Sequence, residues 1–355
     1  MSRKIILTGG GTAGHVTPNI ALLPTLRERG YEIRYIGSYD GIERKLIREQ
    51  GIPYYGISSG KLRRYFDWQN FSDPFRVLHG FSQARQILKK EKPDVVFSKG
   101  GFVSVPVVQA AGLLHIPVVI HESDMTPGLA NKLAIPFAAK VCCSFPETME
   151  QLPKEKAVFS GSPIRRELLS GSREAALRFT GLSGEKPVLM VMGGSQGSVV
   201  INNALRADLD LLLPRFDVIH LCGKGNLDES LKGRSGYLQY EYIEEELKDL
   251  FALADIVLSR AGANSICELL ALRKPNLLVP LSAQASRGDQ ILNARSYEKQ
   301  GYSMVLEEES LTPKTLLSSL EKLYENRAAF TEAMENSAQS DAISIITDLI
   351  GEVSS

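Results

Sequence analysis

Short apolar runs, rich in β-branched residues, alternate with helix-like segments along the first 160 residues. The runs occupy residues 4–8, 33–37, 94–98, 117–121, 140–144 and 157–160. Because each run is nearly continuous in apolar side chains, we predict strands that are buried on both faces of a parallel sheet. Between the first two runs, residues 19–29 have helical spacing, with a basic last turn and Gly30 directly after it. This alternation predicts a doubly wound α/β domain.

The same pattern starts again in the second half of the chain. Further strands are predicted at residues 187–192, 216–221, 255–259, 276–280 and 302–306. The opening segments of the two halves match, because residues 5–14 read IILTGGGTAG and residues 189–198 read LMVMGGSQGS. We therefore predict two Rossmann-like domains, with a ligand-binding cleft at the carboxyl ends of their sheets. The expected domains are residues 1–162 and 163–340, followed by a helix over residues 341–355 that packs back on the first domain.

The 355 residues are enough for two domains, and 41 basic residues balance 41 acidic ones. A neutral total argues against a protein that binds nucleic acid over its whole surface. The charge is unevenly distributed, because residues 1–160 carry 21 Lys and Arg against 14 Asp and Glu, whereas residues 161–355 carry 20 against 27. The first half is therefore net positive and the second half equally net negative.

Most of the positive excess lies in residues 61–92, which hold eight basic residues and three acidic ones. Aromatic residues are interleaved with them: Tyr65, Phe66, Trp68, Phe71, Phe75 and Phe81. Basic residues among exposed aromatic ones are typical of a surface that binds an anionic membrane. The alternative is an ordinary amphipathic segment with an apolar core face and a solvated basic face.

The cysteines and the N-terminus indicate a reduced, cytosolic protein. The four cysteines, at positions 142, 143, 222 and 267, have the spacing of neither a metal site nor a disulfide framework, so we expect buried thiols. The first four residues lead directly into a predicted strand without an apolar signal-peptide region. We therefore expect the chain to act from the cytoplasmic side.

The first glycine-rich loop is followed by a candidate base. Residues 9–14 (GGGTAG) fit the GxGxxG pattern, which brings backbone N–H groups and a helix N-terminus to one anion. A nicotinamide dinucleotide site would also need an acid that closes the second strand, where Asp40 comes late. His15 is expected on the first turn of the next helix, where the dipole favours a neutral ring able to accept a proton. The alternative is a structural histidine at a helix start.

Three segments of the second half are candidate ligand loops. Residues 193–197 (GGSQG) repeat the anion-binding turn, and residues 255–268 form a strand, a small-residue turn and a helix start that includes Glu268. A carboxylate at that position can accept hydrogen bonds from a ribose diol. Residues 289–294 (DQILNA) place polar side chains beside a strand end, where sugar hydroxyls could be recognised.

Asp208 and Asp210 form the DxD pattern that binds a metal in some glycosyltransferases. They lie in an apolar helical run (LRADLDLLLP), away from any glycine-rich turn. We predict that both are solvent-facing acids, and we propose no metal site.

Seven motifs are spread in order over nearly the whole chain. They are residues 8–18 (TGGGTAGHVTP), 98–102 (SKGGF), 121–124 (HESD), 161–165 (GSPIR), 193–197 (GGSQG), 259–263 (SRAGA) and 289–294 (DQILNA). Together they resemble the MurG family of bacterial peptidoglycan N-acetylglucosaminyltransferases. The resemblance implies a GT-B fold and transfer of N-acetylglucosamine from UDP-N-acetylglucosamine to the C4 hydroxyl of the muramoyl sugar of undecaprenyl-linked lipid I. It implies inversion at the anomeric carbon, no metal or other cofactor, and a peripheral position on the cytoplasmic face of the cell membrane.

The resemblance also assigns roles to single positions. The implied substrate contacts are Thr12, Ala13 and Gly14 in the donor-side loop, Arg165, Ser195 and Gln196 at the donor, Ile243 at the uracil, Ala263, Asn264, Ser265 and Glu268 at the diphosphate and ribose, and Gln290 at the donor sugar. For the mechanism we expect direct displacement at the anomeric carbon, in which His15 takes the acceptor proton, with Glu122 or Asp124 as the alternative base or as a group that orients it. Asp124 and Asp289 stand where the family commonly has amides.

Two other functions fit the same pattern. A non-hydrolysing UDP-N-acetylglucosamine 2-epimerase shares the architecture and the donor, but it would act on the donor alone. A non-catalytic sugar-nucleotide-binding subunit would bind the donor without turnover on lipid I. The motifs of the second half argue against a nicotinamide dehydrogenase, because they have no role in such an enzyme.

Overall fold

The chain forms two compact units. Unit 1 comprises Met1–Arg165 and Gln339–Ser355, and unit 2 comprises Arg166–Ala338. The computed structural model describes residues 3–60, 69–194, 197–283, 288–337 and 341–354, and of residues 69–75 it describes only the backbone.

Unit 1 is built on a seven-stranded parallel sheet with strand order β3-β2-β1-β4-β5-β6-β7. Its strands are β1 (Lys4–Thr8), β2 (Glu32–Ser38), β3 (Tyr54–Ile57), β4 (Val95–Ser98), β5 (Val118–Glu122), β6 (Lys140–Cys143) and β7 (Ala157–Phe159). Its helices are α1 (Thr17–Glu28), α2 (Ile42–Glu49), α3 (Gln69–Glu91), α4 (Ser104–Leu113), α5 (Leu129–Ala134) and, from the end of the chain, α14 (Ala342–Val353).

Unit 2 has a six-stranded parallel sheet with strand order β10-β9-β8-β11-β12-β13. Its strands are β8 (Val188–Met192), β9 (Asp217–Leu221), β10 (Tyr237–Tyr240), β11 (Ile256–Ser259), β12 (Asn276–Leu278) and β13 (Ser303–Val305). Its helices are α6 (Arg173–Thr180), α7 (Val199–Ala207), α8 (Leu209–Leu212), α9 (Leu247–Leu253), α10 (Ala263–Ala271), α11 (Asp289–Lys299), α12 (Pro313–Glu325) and α13 (Arg327–Glu335).

Apart from the additional strand β7, the two sheets have the same strand order, and the order of strands along the chain reverses beside β1 in unit 1 and beside β8 in unit 2. In open α/β sheets, ligands bind at the carboxyl ends of the strands at such a switch point. The predicted fold class, two doubly wound Rossmann-like units, is confirmed.

Both faces of the unit 1 sheet are covered by a core. Ile5 and Leu7 of β1 join a cluster that includes residues of α1 and α14, whereas Ile6 joins a cluster on the other face with residues of α3 and α4. Because side chains alternate across a strand, a strand covered on both faces is apolar throughout. The continuous apolar runs in the sequence have this origin. All four cysteines are free and buried, as predicted.

The basic stretch at residues 61–92 is described in part. Its helix is α3, and the segment with Tyr65, Phe66 and Trp68 lies outside the described residues. Over the described ranges, no helix combines the length and the apolar character that a membrane crossing requires.

The prediction that Asp208 faces solvent is wrong. Its side chain is fully buried between α7 and α8 instead of facing solvent, whereas the side chain of Asp210 is 93% exposed. Neither carboxyl oxygen of Asp208 has a hydrogen-bond partner in the described part of the chain. Loss of water around the carboxylate raises its pKa.

We expect Asp208→Asn to raise the free energy of unfolding at pH 7.5 by about 1 kcal/mol, because it removes an unpaired buried charge. Because the pKa of Asp208 is raised in the folded state, the unmodified protein loses stability as pH rises through that pKa and the buried carboxyl ionises. The asparagine variant does not ionise, so its advantage over the unmodified protein shrinks as pH falls towards 4. Denaturant unfolding at several pH values measures it. Asp210→Asn, at the exposed neighbour, is the control and stays within about 0.5 kcal/mol; equal behaviour of the two variants contradicts the prediction.

Candidate functional site

Three strand ends meet at the switch point of unit 1. Residues 9–11 follow β1, and a short 3-10 turn, Ala13–His15, leads into α1. The loop after β4 lies against them so closely that a β-carbon at residue 101 would lie 2.3 Å from the carbonyl oxygen of Gly10. The end of β5 supplies His121 and Glu122. The predicted residues Thr12, Ala13, Gly14 and His15 therefore belong to one loop at the carboxyl edge of this sheet.

His15 has a neutral ring. The expected position on the first turn of α1 is wrong, since His15 ends the 3-10 turn two residues before that helix. Its Nδ1 lies 3.0 Å from the hydroxyl oxygen of Thr12. Burial, and next the positive charge of Lys99, lower its pKa to about 4, while the Gly10 carbonyl and Glu43 oppose the shift. The neutral ring at pH 7 agrees with the prediction, but burial causes it instead of the helix dipole.

A buried lysine lies beneath this loop. Lys99 is 1% exposed, its ammonium group lies 2.7 Å from Nδ1 of His121, and it also bonds to the hydroxyl of Ser123. Since an ammonium group can only donate, Nδ1 of His121 accepts and the ring proton sits on Nε2, which donates to the carbonyl of Gly161 at 2.8 Å. Burial, and then Lys99, lower the pKa of His121 well below its ordinary value.

Glu122 is 4% exposed, and both of its carboxylate oxygens accept hydrogen bonds. One accepts from the backbone of Asp124 at 3.0 Å. The other accepts from the backbone of Gly128 at 2.9 Å and from the amide of Asn131 at 2.8 Å. Burial raises its pKa, and the three donors oppose that shift. The carboxylate thus fixes the loop that contains Asp124.

Asp40, the candidate acid of a dinucleotide site, lies in solvent after β2. The Asp40 side chain is 94% exposed and its nearest ion-pair partner is Arg44, at 3.8 Å. Ser38, the last residue of β2, bonds instead to Glu43. The nicotinamide interpretation therefore has no support in unit 1.

Arg165 is the last residue of the first segment of unit 1 and is half-buried. Its Nε is buried and has no hydrogen-bond partner in the described ranges. An unsatisfied guanidinium nitrogen is a feature that a bound anion or carbonyl would complete.

The remaining predicted residues follow strand ends of unit 2. Ala263, Asn264 and Ser265 form the first turn of α10, and Glu268 follows on the same helix. Gln290 of α11 accepts a hydrogen bond from the backbone N–H of Leu281 at 3.0 Å, which ties α11 to the chain after β12. Ile243 is buried beyond β10, and Ser195 and Gln196 lie outside the described residues.

Arg260, directly after β11, joins the loops of this edge. Its guanidinium group donates to the hydroxyl of Ser198 at 2.7 Å and to the carbonyls of Val279 and Pro280, both at 3.2 Å. It also forms an ion pair with Glu308. Ser198 caps α7, so one buried side chain joins the N-terminus of α7 to the carboxyl ends of β11 and β12.

Among the described residues, no three His, Cys, Asp or Glu side chains come together as a metal site would require. The edge of unit 2 instead presents helix N-termini and backbone N–H groups, which suit a diphosphate.

Family models match both halves of the chain. The glycosyltransferase family 28 N-terminal domain matches residues 5–143, and the glycosyltransferase family 28 C-terminal domain matches residues 188–349. The chain belongs to glycosyltransferase family 28. This family also agrees with the resemblance inferred from the seven motifs.

Curated relatives cover almost the full length of this family 28 chain. A protein of Lachnospira eligens is 64% identical over 98% of both chains, and one of Lachnoclostridium phytofermentans is 63% identical over 99% of both. Both are named UDP-N-acetylglucosamine--N-acetylmuramyl-(pentapeptide) pyrophosphoryl-undecaprenol N-acetylglucosamine transferase.

Solved structures show the same fold. MurG of Acinetobacter baumannii superposes with a TM-score of 0.78, at 27% identity and over 99% of both chains. The glycosyltransferase of kitacinnamycin gives a TM-score of 0.76 at 15% identity over the whole of both chains, which supports the fold alone.

Four residues of this family 28 site were not among the candidates from the sequence: Glu43, Lys99, Asn131 and Arg260. Lys99 and Arg260 lie inside recognised motifs, each directly after a strand. This position could have identified both as candidate site residues. Glu43 and Asn131 lie on helices that pack against strand ends, and no local pattern distinguishes them from ordinary helix residues.

We expect Arg260→Met to lower the free energy of unfolding by about 3 kcal/mol, because it leaves the largely buried Glu308 without its cation. Denaturant unfolding measures the loss. The double variant Arg260→Met, Glu308→Met is expected to recover part of it, since no charge then remains unpaired. A single variant as stable as the unmodified protein would show that the ion pair is dispensable.

Proposed function

We propose that this protein transfers N-acetylglucosamine from UDP-N-acetylglucosamine to the C4 hydroxyl of the muramoyl sugar of lipid I, forming lipid II. The observation that carries the proposal is the 64% identity, over 98% of both chains, to a relative named for this transfer. The names of the relatives favour the transferase over the epimerase and over a non-catalytic subunit. The half-buried, neutral His15 beside a hydroxyl supports the chemistry.

In this proposal His15 is the general base. A neutral imidazole accepts a proton at one ring nitrogen only when the other nitrogen holds the ring proton. With the proton on Nδ1, donated to the hydroxyl of Thr12 at 3.0 Å, Nε2 keeps its lone pair for the acceptor hydroxyl. Because a hydroxyl can either donate or accept, the Thr12 contact is compatible with this tautomer. Because the pKa of His15 is about 4, the base stays unprotonated over the neutral range.

Unit 2 supplies the donor contacts in this proposal. The first turn of α10, with Ala263, Asn264 and Ser265, would direct backbone N–H groups at the diphosphate, and Glu268 would bond to the ribose. Charge builds up on the leaving diphosphate during displacement at the anomeric carbon. Fixed N–H dipoles aimed at that charge lower the barrier without reorganisation.

Glu122 is the alternative base, and its contacts favour a different role. Three donors already occupy its oxygens, and all of them belong to the same loop and helix. Accepting a proton there would weaken these hydrogen bonds. We therefore assign Glu122 to holding Asp124 in place for the acceptor.

The direct test is transfer of labelled N-acetylglucosamine from the UDP donor to a soluble lipid I analogue. We expect His15→Asn to lower kcat by about 10²–10⁴-fold through loss of the base. His115→Asn, the same change at an exposed histidine of unit 1, is the matched control and keeps its activity.

Three results would argue against this assignment. Normal turnover of the His15 variant would show that His15 is not the base. A new UDP-sugar formed from the donor alone would indicate an epimerase. Loss of transfer in a chelator rejects the metal-free mechanism.

We also propose that residues 61–92 bring the protein to the anionic cytoplasmic face of the membrane that holds the acceptor. Four basic side chains on α3 are exposed: Arg76, Arg85, Lys89 and Lys90. Leu78 on the same helix is 66% exposed. Exposed cations beside exposed apolar surface are what an anionic bilayer surface attracts.

Binding to vesicles with and without phosphatidylglycerol tests this surface. We expect Arg85→Glu, Lys89→Glu, Lys90→Glu to weaken binding to the anionic vesicles by at least about tenfold, with the difference reduced in high salt. The control reverses three exposed lysines of unit 2, Lys224, Lys232 and Lys299, and should bind as the unmodified protein does. Equal losses in both triple variants would mean that net charge alone governs binding.

A further inference from the structure

A carboxylate occupies the glycine-rich loop of unit 1. Glu43, on the first turn of α2, is fully buried. One carboxylate oxygen accepts from the backbone N–H of Gly11 at 3.2 Å. The other accepts from the backbone N–H of Ser38 at 3.0 Å and from its hydroxyl at 2.5 Å. In a Rossmann-like unit, N–H groups of this loop ordinarily hold a phosphate.

Three glycines leave the space that this carboxylate fills. A β-carbon at residue 10 would lie 2.5 Å from the Glu43 carboxyl group, and one at residue 41 would lie 2.2 Å from it. A β-carbon at residue 37 would lie 2.4 Å from the hydroxyl oxygen of Tyr54 and 2.9 Å from Cγ of Glu43. Such distances are far below van der Waals contact. The glycines at the ends of β1 and β2 therefore leave the room that the Glu43 side chain occupies.

The charge of Glu43 is balanced by dipoles. In the described part of the chain Glu43 forms no salt bridge with a cationic side chain, and its partners are two N–H groups and a hydroxyl. It also lies at the N-terminus of its own helix, where a negative charge is favoured. A buried carboxylate needs such donors, since burial without them is costly.

The same loop is held from its other side by a neutral network. The hydroxyl of Tyr35 donates to the carbonyl of Gly9 at 2.7 Å, and the amide of Asn19 donates to Tyr35 at 3.1 Å and to the carbonyl of His15 at 3.3 Å. The loop that ends in His15 is thus fixed at Gly9, at Gly11 and at His15 itself. Only the Gly11 contact depends on a charge.

We propose that Glu43 is a resident anion that takes the place of a phosphate in this loop, where it positions Thr12 and His15 and excludes nucleotide phosphates from unit 1. The positioning part rests on the proposed function, because it concerns the base of that reaction. The exclusion part stands by itself. The donor nucleotide is then left to unit 2.

Kinetics of Glu43→Gln test the positioning part. The amide keeps the size of the side chain but turns an N–H donor towards Gly11 or Ser38, whose N–H groups are donors too. We expect kcat for transfer to fall about 10- to 100-fold with the KM for the UDP donor unchanged. Glu49→Gln, on the exposed side of the same helix, is the control with normal kinetics. An unchanged kcat in Glu43→Gln, or a donor KM that rises in step with the loss, overturns the positioning role.

Chemical rescue separates an anion site from a general loss of structure. Glu43→Ala removes a fragment of the size of acetate, so we expect added acetate to restore kcat in a saturable way and to leave the unmodified enzyme unaffected. A variant that only unfolds gains nothing from acetate. A folded Glu43→Ala variant, shown by unchanged circular dichroism, that does not respond to acetate contradicts the proposal.

Hydrogen exchange of residues 5–16, followed by mass spectrometry, gives a readout that does not depend on catalysis. We expect faster exchange in Glu43→Ala, and restored protection when acetate or inorganic phosphate is added. If the unmodified protein does not transfer the sugar, the proposed function is wrong. The exchange measurement still tests whether Glu43 acts as the resident anion of the loop. Protection of the unmodified loop by inorganic phosphate would overturn the exclusion.

Discussion

Two buried charges of opposite sign determine the N-terminal site. Lys99 lies at the end of β4 and Glu43 lies on the helix after β2, and both are removed from water. Each is held by hydrogen bonds with backbone or neutral side chains, because an isolated ion could not stay in such a place. They act on His15 in opposite directions, since Lys99 lowers its pKa and Glu43 raises it. Glu43 thus holds the backbone of the loop, and Lys99 adds to the effect of burial on the pKa of its histidine.

The sequence predicted the interior of the fold better than its edges. Every central strand was found, because a strand covered on both faces is apolar at each position. The two strands that were missed, β3 and β10, are edge strands, and their residues YYGI and YLQY are mostly half-buried. A partly exposed edge carries polar and aromatic side chains, so its pattern resembles that of a loop. Asp208 was misjudged for a related reason, since nothing local to its run shows which acid faces inwards.

The residues of the candidate site were predictable from the sequence where they come directly after a strand. The loop after β1 and the turn after β11 were recognised because their glycines and small residues indicate that a ligand or another segment can approach the backbone closely. Glu43 and Asn131 could not be found in this way, because their partners come from other segments of the chain. The neutral state of His15 was inferred from the helix dipole, but the observed causes, burial and Lys99, need the packed structure.

The order of the units along the chain has a consequence for biosynthesis. Unit 1 begins before unit 2 and is completed after it, because α14 supplies Ile343, Ile346 and Ile350 to a core that otherwise comes from the first 142 residues. Unit 2 is contiguous and can fold as soon as it has left the ribosome. Unit 1 must wait with part of its apolar surface open until the last helix has been made. During that interval the apolar face of the unit 1 sheet that α14 covers is exposed, and exposed apolar surface favours aggregation.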